Sequence, residues 1–302
     1  MILDKKCNDI PKELCGIINV YKPTGMTSFD VVRKIKKIAN NKKVGHCGTL
    51  DPEASGVLPV CIGRATKSIE FIMEDYKVYE AELKLGVVTD TYDREGTVIE
   101  EHSVDVTENQ VKEAVYSYVG EIEQIPPMYS ALKHNGKKLY ELARAGIEVE
   151  RQGRKITIYN IQILDINIPI VKILIKCSKG TYIRSLCYDI GRTLGCGAMM
   201  WSLERHATGS FTKENSININ ELNEMNIKEY VLPIDSAFNN YDKIDVDEKF
   251  EKLLLNGVAV MDKSITANLK DMNHYIVYNK NNTLIGIAYK NELGLKLLKI
   301  FA

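Results

Sequence analysis

The sequence lacks the features of several large protein classes. It has no apolar run long enough to span a membrane, and its first residues mix acids and bases without the apolar stretch of a signal peptide. Its seven cysteines, at positions 7, 15, 47, 61, 177, 187 and 196, form no C-x-x-C pair. This spacing argues against a zinc ribbon and indicates reduced thiols. We therefore expect a cytoplasmic protein with no membrane partner.

Familiar catalytic motifs are missing as well. Ala54-Ser55-Gly56 lacks the glycine two positions before the serine that a nucleophile elbow requires. No glycine-rich stretch has the spacing and Lys-Ser/Thr ending of a phosphate-binding P-loop, and the five histidines are scattered without zinc-ligand spacing. A site without metal or cofactor, built from carboxylate, arginine and tyrosine, is what remains.

The formal net charge of zero conceals a separation of charge along the chain. Residues 33–43 contain six basic residues and no acid, and residues 133–155 contain seven basic residues against three acids. Residues 221–251, in contrast, contain nine acids against three lysines. Such a chain can carry a basic face of the kind that binds phosphates. The alternative is that the basic runs are ordinary solvated faces.

Hydrophobic periodicity predicts helices and strands in an irregular order. Several strands alternate apolar and polar residues, which favours an α+β fold over a doubly wound parallel sheet. The predicted segments are a helix over 28–39 capped by Ser28 with Phe29 in its apolar stripe, a strand over 77–86, a helix over 107–118 opened by a Thr-x-x-Gln capping box, a strand over 171–177, and a helix capped by Thr181 and ended by Gly195.

The end of the chain predicts a second, smaller domain. The composition turns acidic after Leu232-Pro233, and short apolar runs follow Phe250. Lys280-Asn281-Asn282 lies between two of these runs and is typical of a hairpin turn. We therefore place a small β-rich domain at about 240–302, after one large domain.

The stretch GHCGTLDPEASG, residues 45–56, is the strongest candidate for a functional loop. Asp51 followed by Pro52 is typical of a helix N-cap. Three glycines in twelve residues favour a backbone bent to present Asp51 to a ligand instead, because glycine is costly to order otherwise. Arg184 could hold such a carboxylate ionised in a dry pocket, or form a weak surface ion pair. Tyr79, on the apolar face of its strand, is typical of a core tyrosine.

Five motifs, in order, resemble those of the bacterial TruB-type tRNA pseudouridine synthases. They are Asn19-Val20-Tyr21-Lys22-Pro23-Thr24-Gly25-Met26-Thr27-Ser28, Gly45 to Gly56, Lys77-Val78-Tyr79 with Leu85-Gly86 and Thr89-Asp90-Thr91, Pro126-Pro127-Met128-Tyr129-Ser130-Ala131-Lys133, and Lys179-Gly180-Thr181-Tyr182-Ile183-Arg184. The resemblance implies a catalytic domain at 1–239 built on a mixed and largely antiparallel sheet, with an RNA-clasping insertion at about 122–155. For 240–302 it implies a PUA-like RNA-binding domain.

The resemblance also implies a reaction and the residues that perform it. Members of this family isomerise uridine 55 in the T loop of tRNA: the bond from ribose C1′ to uracil N1 breaks, the base rotates, and C1′ joins C5. Asp51 would attack C1′ or remove a proton from C2′ to give a glycal. The other implied catalytic residues are Arg184, which pairs with the aspartate, and Tyr79, which stacks on the base. The implied substrate-binding residues are His46, which fills the space of the flipped uridine, Leu203, Tyr182, Lys22 and Lys133.

The same resemblance implies the T arm of tRNA as partner, no cofactor, no metal and a monomer. The chain departs from the family at Cys47, where a threonine or other small residue is usual, and at Ala207, where a basic residue is usual. Two alternatives stay open. One is a non-catalytic RNA-binding or tRNA-folding protein with the same fold, and the other is a synthase specific for another RNA uridine.

Overall fold

A computed structural model describes residues 14–301. The strands are β1 (Gly16–Lys22), β2 (Val44–His46), β3 (Ser55–Ile62), β4 (Lys77–Leu85), β5 (Val87–Thr89), β6 (Val98–Glu101), β7 (Gly120–Gln124), β8 (Lys133–His134), β9 (Lys137–Lys138), β10 (Arg154–Asn167), β11 (Ile170–Cys177), β12 (Ala198–Thr208), β13 (Phe211–Thr212), β14 (Ile217–Asn218), β15 (Asp242–Val246), β16 (Asn273–Asn279), β17 (Leu284–Asn291) and β18 (Gly294–Ile300). The α-helices are α1 (Ser28–Ile38), α2 (Ile69–Glu74), α3 (Glu108–Tyr116), α4 (Leu139–Arg144), α5 (Ile183–Leu194), α6 (Glu248–Leu255) and α7 (Lys263–Thr266).

A ten-stranded mixed sheet forms the body of the molecule. Its strands run in the order β14-β1-β3-β12-β4-β11-β10-β7, with β2 paired to β3 and β13 to β12. The β1/β14 and β3/β12 pairs are parallel, and the other pairs are antiparallel. The predicted α+β class with a mixed sheet is therefore confirmed.

Helix α1 covers the β1/β3 end of this sheet. Its buried stripe begins at Ser28 and continues through Val31, Val32 and Ile35, which is the spacing of one helix face. Phe29 lies outside that stripe and is 59% exposed, so its predicted place in the core is wrong. The predicted cap is also off by one residue: the N-cap is Thr27, whose hydroxyl accepts from the Asp30 amide in a capping box.

Helices α3 and α5 cover the other half of the same face. The capping box of α3, Thr107 with Gln110, is confirmed. Helix α5 ends at Gly195 in the left-handed conformation, as predicted. Its N-cap is Tyr182 and not Thr181, because the Thr181 hydroxyl donates instead to the Ser178 carbonyl, 3.0 Å away.

Between β7 and β10 the chain leaves the sheet. These strands pair at the base of the excursion, from Arg154 against Gln124 to Ile158 against Gly120. Residues 125–153, which we call the excursion, contain the β8–β9 hairpin, α4 and a small apolar cluster centred on Met128, Leu139 and Leu142.

Residues 242–300 form a second sheet in the order β15-β16-β17-β18, with the predicted turn at 280–282 between β16 and β17. It has an apolar core of its own and shares another apolar cluster with the large sheet. Polar contacts reinforce this junction: Lys67 Nζ lies 2.6 Å from the Ile300 carbonyl, and the Tyr278 hydroxyl lies 2.5 Å from an Asp235 carboxylate oxygen. Burial raises the pKa of Tyr278, and the hydrogen bond to the Asp235 carboxylate raises it further.

In the part of the chain that the structure describes, no helix combines the length and apolar character needed to cross a membrane. The six described cysteines are free thiols, as predicted. Cys7 and the N-terminal residues, on which the expectation of no signal peptide rests, lie outside the described residues.

Candidate active site

The loop between β2 and β3 presents Asp51 on a turn and not at the start of a helix. The Ala54 amide donates to the Asp51 carbonyl at 3.1 Å, and the chain then enters β3 at Ser55. The Asp51 side chain is 39% exposed. Of the two interpretations that the sequence allowed, the structure therefore excludes the helix cap and leaves a presented carboxylate.

Arg184 holds the Asp51 carboxylate through two contacts. Its Nε lies 3.0 Å from Asp51 Oδ2 and its Nη2 lies 3.4 Å from Oδ1. The arginine side chain is only 8% exposed, which excludes the surface ion pair that the sequence allowed. The guanidinium also donates to the Tyr129 carbonyl at 2.9 Å and to the Thr91 carbonyl at 3.3 Å. A planar group fixed by so many acceptors holds the carboxylate in one orientation.

Asp93 is a second carboxylate on the same guanidinium, and the sequence reasoning missed it. Its Oδ2 lies 3.5 Å from Arg184 Nη1, and its side chain is 15% exposed. The only signal was its position two residues after Thr89-Asp90-Thr91. One arginine therefore contacts two carboxylates, Asp51 and Asp93.

Tyr79 and Leu203 form an apolar surface beside the Asp51–Arg184 pair. They lie on neighbouring strands, where Leu203 pairs with Ala81 and Arg205 pairs with Tyr79. Both side chains pack against two apolar clusters, one that includes Val31 and Ile35 of α1 and one that includes Leu186 of α5. They therefore lie where these two clusters meet. Burial raises the pKa of the Tyr79 phenol. The site therefore consists of the Asp51 carboxylate at the edge of an apolar surface formed by Tyr79 and Leu203.

A buried cation, Arg205, lies under the Asp51 loop. Its side chain is almost fully buried, and it donates to the Val57 carbonyl at 2.7 Å and to the Gly48 carbonyl at 3.0 Å. These bonds tie the two ends of the loop to β12. The sequence gives no sign of this role, because nothing in the pattern shows that a charged side chain on this strand points inward.

His46 ends β2 next to this cation. Burial lowers the pKa of His46, and the positive charge of Arg205 lowers it further. The imidazole is therefore neutral at neutral pH. Its Nδ1 is buried without a hydrogen-bond partner among the described residues.

Tyr182 occupies the N-cap of α5, two residues from Arg184. Its amide donates to Gln124 Oε1 at 2.8 Å, and its carbonyl accepts from Gln124 Nε2 at 3.0 Å. The Ser185 hydroxyl donates to the Ile125 carbonyl at 2.9 Å. These bonds fasten the base of the excursion to the helix that carries Arg184.

Lys22 is fully buried, so direct contact with substrate, predicted for it from the sequence, does not fit its position. Its ammonium donates to the carbonyls of Pro23, Met26 and Pro52 at 2.9, 2.8 and 3.1 Å. Burial lowers the pKa of Lys22 to about 8. Because Pro52 follows Asp51, the Lys22 ammonium is bonded to the backbone next to Asp51.

Lys133 is exposed in the β8–β9 hairpin. It lines a cavity of about 800 Å³ within the excursion, together with Arg151 and Arg154. This cavity carries the cations that the charge count of residues 133–155 predicted.

Among the described residues, one group has the spacing to hold a metal ion. Glu80, Glu204 and His206 place ligand atoms within 4.8 Å of one another. Lys172 lies 2.7 Å from Glu80, and Lys213 lies 2.8 Å from Glu204. The carboxylates are thus already paired with ammonium groups, and the expectation of no metal stays a prediction.

The two departures from the family pattern are both buried. Cys47 has its sulfur 3.5 Å from that of Cys61, and the pKa of Cys47 is raised by this neighbour and by burial. Its thiol is therefore neutral and packs as a small apolar group. Ala207 lies in β12 opposite Val78 and is also buried.

Comparison with known families gives two matches along this chain. Residues 36–183 match the TruB family pseudouridylate synthase N-terminal domain, and residues 184–239 match the tRNA pseudouridylate synthase B C-terminal domain. The chain is 56% identical over 285 residues to a Clostridium acetobutylicum protein named tRNA pseudouridine synthase B, covering 94% of this chain and 99% of that protein. A Clostridium tetani protein of the same name is 55% identical over 286 residues, with the same coverage.

Solved structures resemble this fold over most of its length. A chain in a crystal structure of a Cbf5-Nop10-Gar1 complex aligns with a TM-score of 0.75 and 27% identity, over 95% of this chain and 85% of that one. A chain in an H/ACA RNP bound to a substrate RNA containing 2′-deoxyuridine aligns with a TM-score of 0.73 and 26% identity, with the same coverage.

Proposed function

The chain belongs to the TruB family of pseudouridylate synthases, and we propose that it converts uridine 55 in the T loop of tRNA to pseudouridine. Formation of pseudouridine in tRNA follows from relatives at 51–56% identity that are named tRNA pseudouridine synthase B. Position 55 and the roles of individual residues are our proposal. Uridine and pseudouridine are isomers and no electrons are gained or lost, so the residues themselves can supply the chemistry.

The observation that carries this proposal is the Asp51 carboxylate held by the buried Arg184 guanidinium. Arg184 holds both oxygens of the Asp51 carboxylate in one orientation, and a carboxylate so held can attack C1′ or remove the C2′ proton. Breaking the bond to N1 leaves the electron pair on the uracil. When C5 joins C1′, the C5 proton passes to solvent and N1 takes up a proton. In the glycal route the proton removed from C2′ returns to that carbon. The fixed Asp51–Arg184 geometry places the reactive oxygen in advance, which lowers the entropic cost of the reaction.

We further propose that Tyr79 and Leu203 hold the base while its bond to ribose is broken. Their side chains offer an apolar surface for stacking and packing. The raised pKa of Tyr79 keeps its phenol protonated, so it can donate a hydrogen bond to the detached uracil. We also propose that His46, neutral and next to the Asp51 loop, fills the space that the flipped uridine leaves in the T loop. Tyr182 contributes to the same pocket.

The wider RNA contacts also belong to this proposal. We assign residues 1–239 to the catalytic domain and about 122–155 to a clasp over the T arm, supported by the cations that line the cavity around Lys133. We assign 240–302 to a PUA-like RNA-binding domain, supported by its own sheet and core. Recognition would rest on the shape of the stem-loop and on splayed bases. A monomer and a cytoplasmic location stay predictions.

The test is release of tritium from unmodified tRNA labelled at uridine C5. Uridine and pseudouridine have the same mass, so loss of the C5 label is the direct signal. We expect release by the wild type, none by Asp51→Asn, and none from tRNA whose T-loop uridine is replaced by cytidine. The Asp51→Asn variant keeps the volume of the side chain, so its tRNA affinity should stay within a few-fold of wild type.

Other outcomes would identify the alternatives. Tight tRNA binding without release would mean a non-catalytic RNA-binding protein. Release that persists without the T-loop uridine would mean a synthase with another target. Full activity of Asp51→Asn would contradict the role of this carboxylate.

A further inference from the structure

One side of α1 carries a continuous basic stripe that the proposed chemistry does not use. Phe29, Arg33 and Lys37 follow each other at four-residue spacing and are exposed, with Lys36 beside them. Four-residue spacing places side chains on one face of a helix. At about 1.5 Å per residue, the stripe from Phe29 to Lys37 extends for about 12 Å.

The charge of this stripe continues past the helix. Lys42 and Lys43 are exposed in the segment that leads from α1 into β2. Arg33 contacts Asp30, whereas Lys36, Lys37, Lys42 and Lys43 form no ion pair within the described residues 14–301. We call Arg33, Lys36, Lys37, Lys42 and Lys43 the α1 basic face.

The α1 basic face starts at the active-site loop. The Ser28 hydroxyl accepts from the Leu50 amide at 2.9 Å, so the first residue of α1 is bonded to the residue before Asp51. The Gly25 amide donates to the Pro52 carbonyl at 3.0 Å. The start of α1 is therefore attached to the loop to which, in the proposed function, the RNA delivers its base.

We propose that the α1 basic face binds the phosphodiester backbone of the stem that carries the target loop. This inference rests on the proposed function and adds the surface that holds the stem. Charge complementarity selects the occupant: Lys36, Lys37, Lys42 and Lys43, which form no ion pair among the described residues, match a double helix, which carries closely spaced phosphates on both strands. Phosphate contacts of this kind position a nucleic acid without reading its sequence. Phe29 supplies an aromatic surface at the end of the face nearest the loop.

The experiment compares wild type with the double variant Lys36→Gln/Lys37→Gln, in single-turnover tritium release from a T-arm hairpin. The enzyme concentration for half-maximal rate should rise roughly 10- to 30-fold. The dependence of log affinity on log salt should flatten by about 1.4 to 2, which is the loss of two phosphate contacts. The maximal rate should stay unchanged, because neither lysine contacts Asp51. Lys36→Arg/Lys37→Arg should restore wild-type behaviour.

A matched control and a shortened RNA make the result specific. Lys112→Gln/Arg192→Gln also removes two exposed cations, on α3 and α5, and should leave affinity and salt slope unchanged. The shortened RNA is a hairpin whose stem is trimmed to the base pairs next to the loop. With this RNA, wild type and Lys36→Gln/Lys37→Gln should have the same affinity and the same salt slope. An unchanged affinity and salt slope on the full stem would overturn the proposal, as would an equal effect of the control. Absence of release by wild type would instead contradict the proposed function.

Discussion

At the scale of single residues, the site depends on the shape of one guanidinium. Arg184 contacts both oxygens of Asp51 and two backbone carbonyls. Lysine would keep the charge but could not reach all these acceptors, which would be left without donors. We expect Arg184→Lys to lower the single-turnover rate roughly 100-fold, the order seen when one fixed donor is lost from an active site. Tritium release at saturating tRNA measures it, and Arg192→Lys on the exposed side of α5 should leave the rate unchanged.

Lys22 predicts a pH dependence of stability. Its pKa of about 8 in the folded protein is lower than in the unfolded chain, so the unfolded state binds more protons between those values. Its contribution to the free energy of unfolding therefore rises with pH, from near zero at pH 7 to about 2 kcal/mol at pH 9.5. We therefore expect the difference in the free energy of unfolding between wild type and Lys22→Met, measured by urea unfolding, to increase by about 2 kcal/mol from pH 7 to pH 9.5 in favour of wild type. A difference that shrinks with pH would contradict the buried ammonium.

At the scale of elements, the Asp51 loop depends on close backbone contact between β3 and β12. Gly56 has a φ of +113°, and a Cβ there would lie 2.2 Å from the Arg205 carbonyl oxygen. Gly56→Ala should therefore lower the free energy of unfolding by more than about 3 kcal/mol, through backbone strain and displacement of β12. Gly195→Ala is the control: its φ of +76° is also left-handed, but a Cβ there meets nothing within 4 Å. Urea unfolding should give a cost of about 1 kcal/mol for the control.

Element types could be predicted from the sequence, whereas the ends of elements and the site contacts could not. Alternation identified β4 and β11, and the Thr107 capping box identified the start of α3, because these signals are local. The cap of α5 was misplaced because Gln124, far away in the chain, satisfies the Tyr182 amide. Asp51 could be singled out by its glycines. Asp93 could not be assigned, since its contact with Arg184 exists only in the folded chain.

At the scale of the whole molecule, the two sheets are joined by a common apolar cluster. Ile17 and Phe211 of the large sheet pack in one cluster with Ile276 and Ile287 of the small sheet. Lys299 adds an ion pair to Glu70 across this junction, with a distance of 2.6 Å. A shared core makes the folding of each part depend on the other, so we expect one cooperative unfolding transition.

Leu254 allows this coupling to be measured. It is fully buried in the core of the small sheet, whereas the single tryptophan, Trp201, lies in β12 of the large sheet. Leu254→Ala should leave a cavity and lower the free energy of unfolding by about 2–5 kcal/mol. If the two parts unfold together, the urea midpoint from Trp201 fluorescence falls as far as the midpoint from circular dichroism. An unchanged Trp201 midpoint would mean that the small domain unfolds alone. Leu186→Ala, in the core under α5, should shift the Trp201 midpoint in either case.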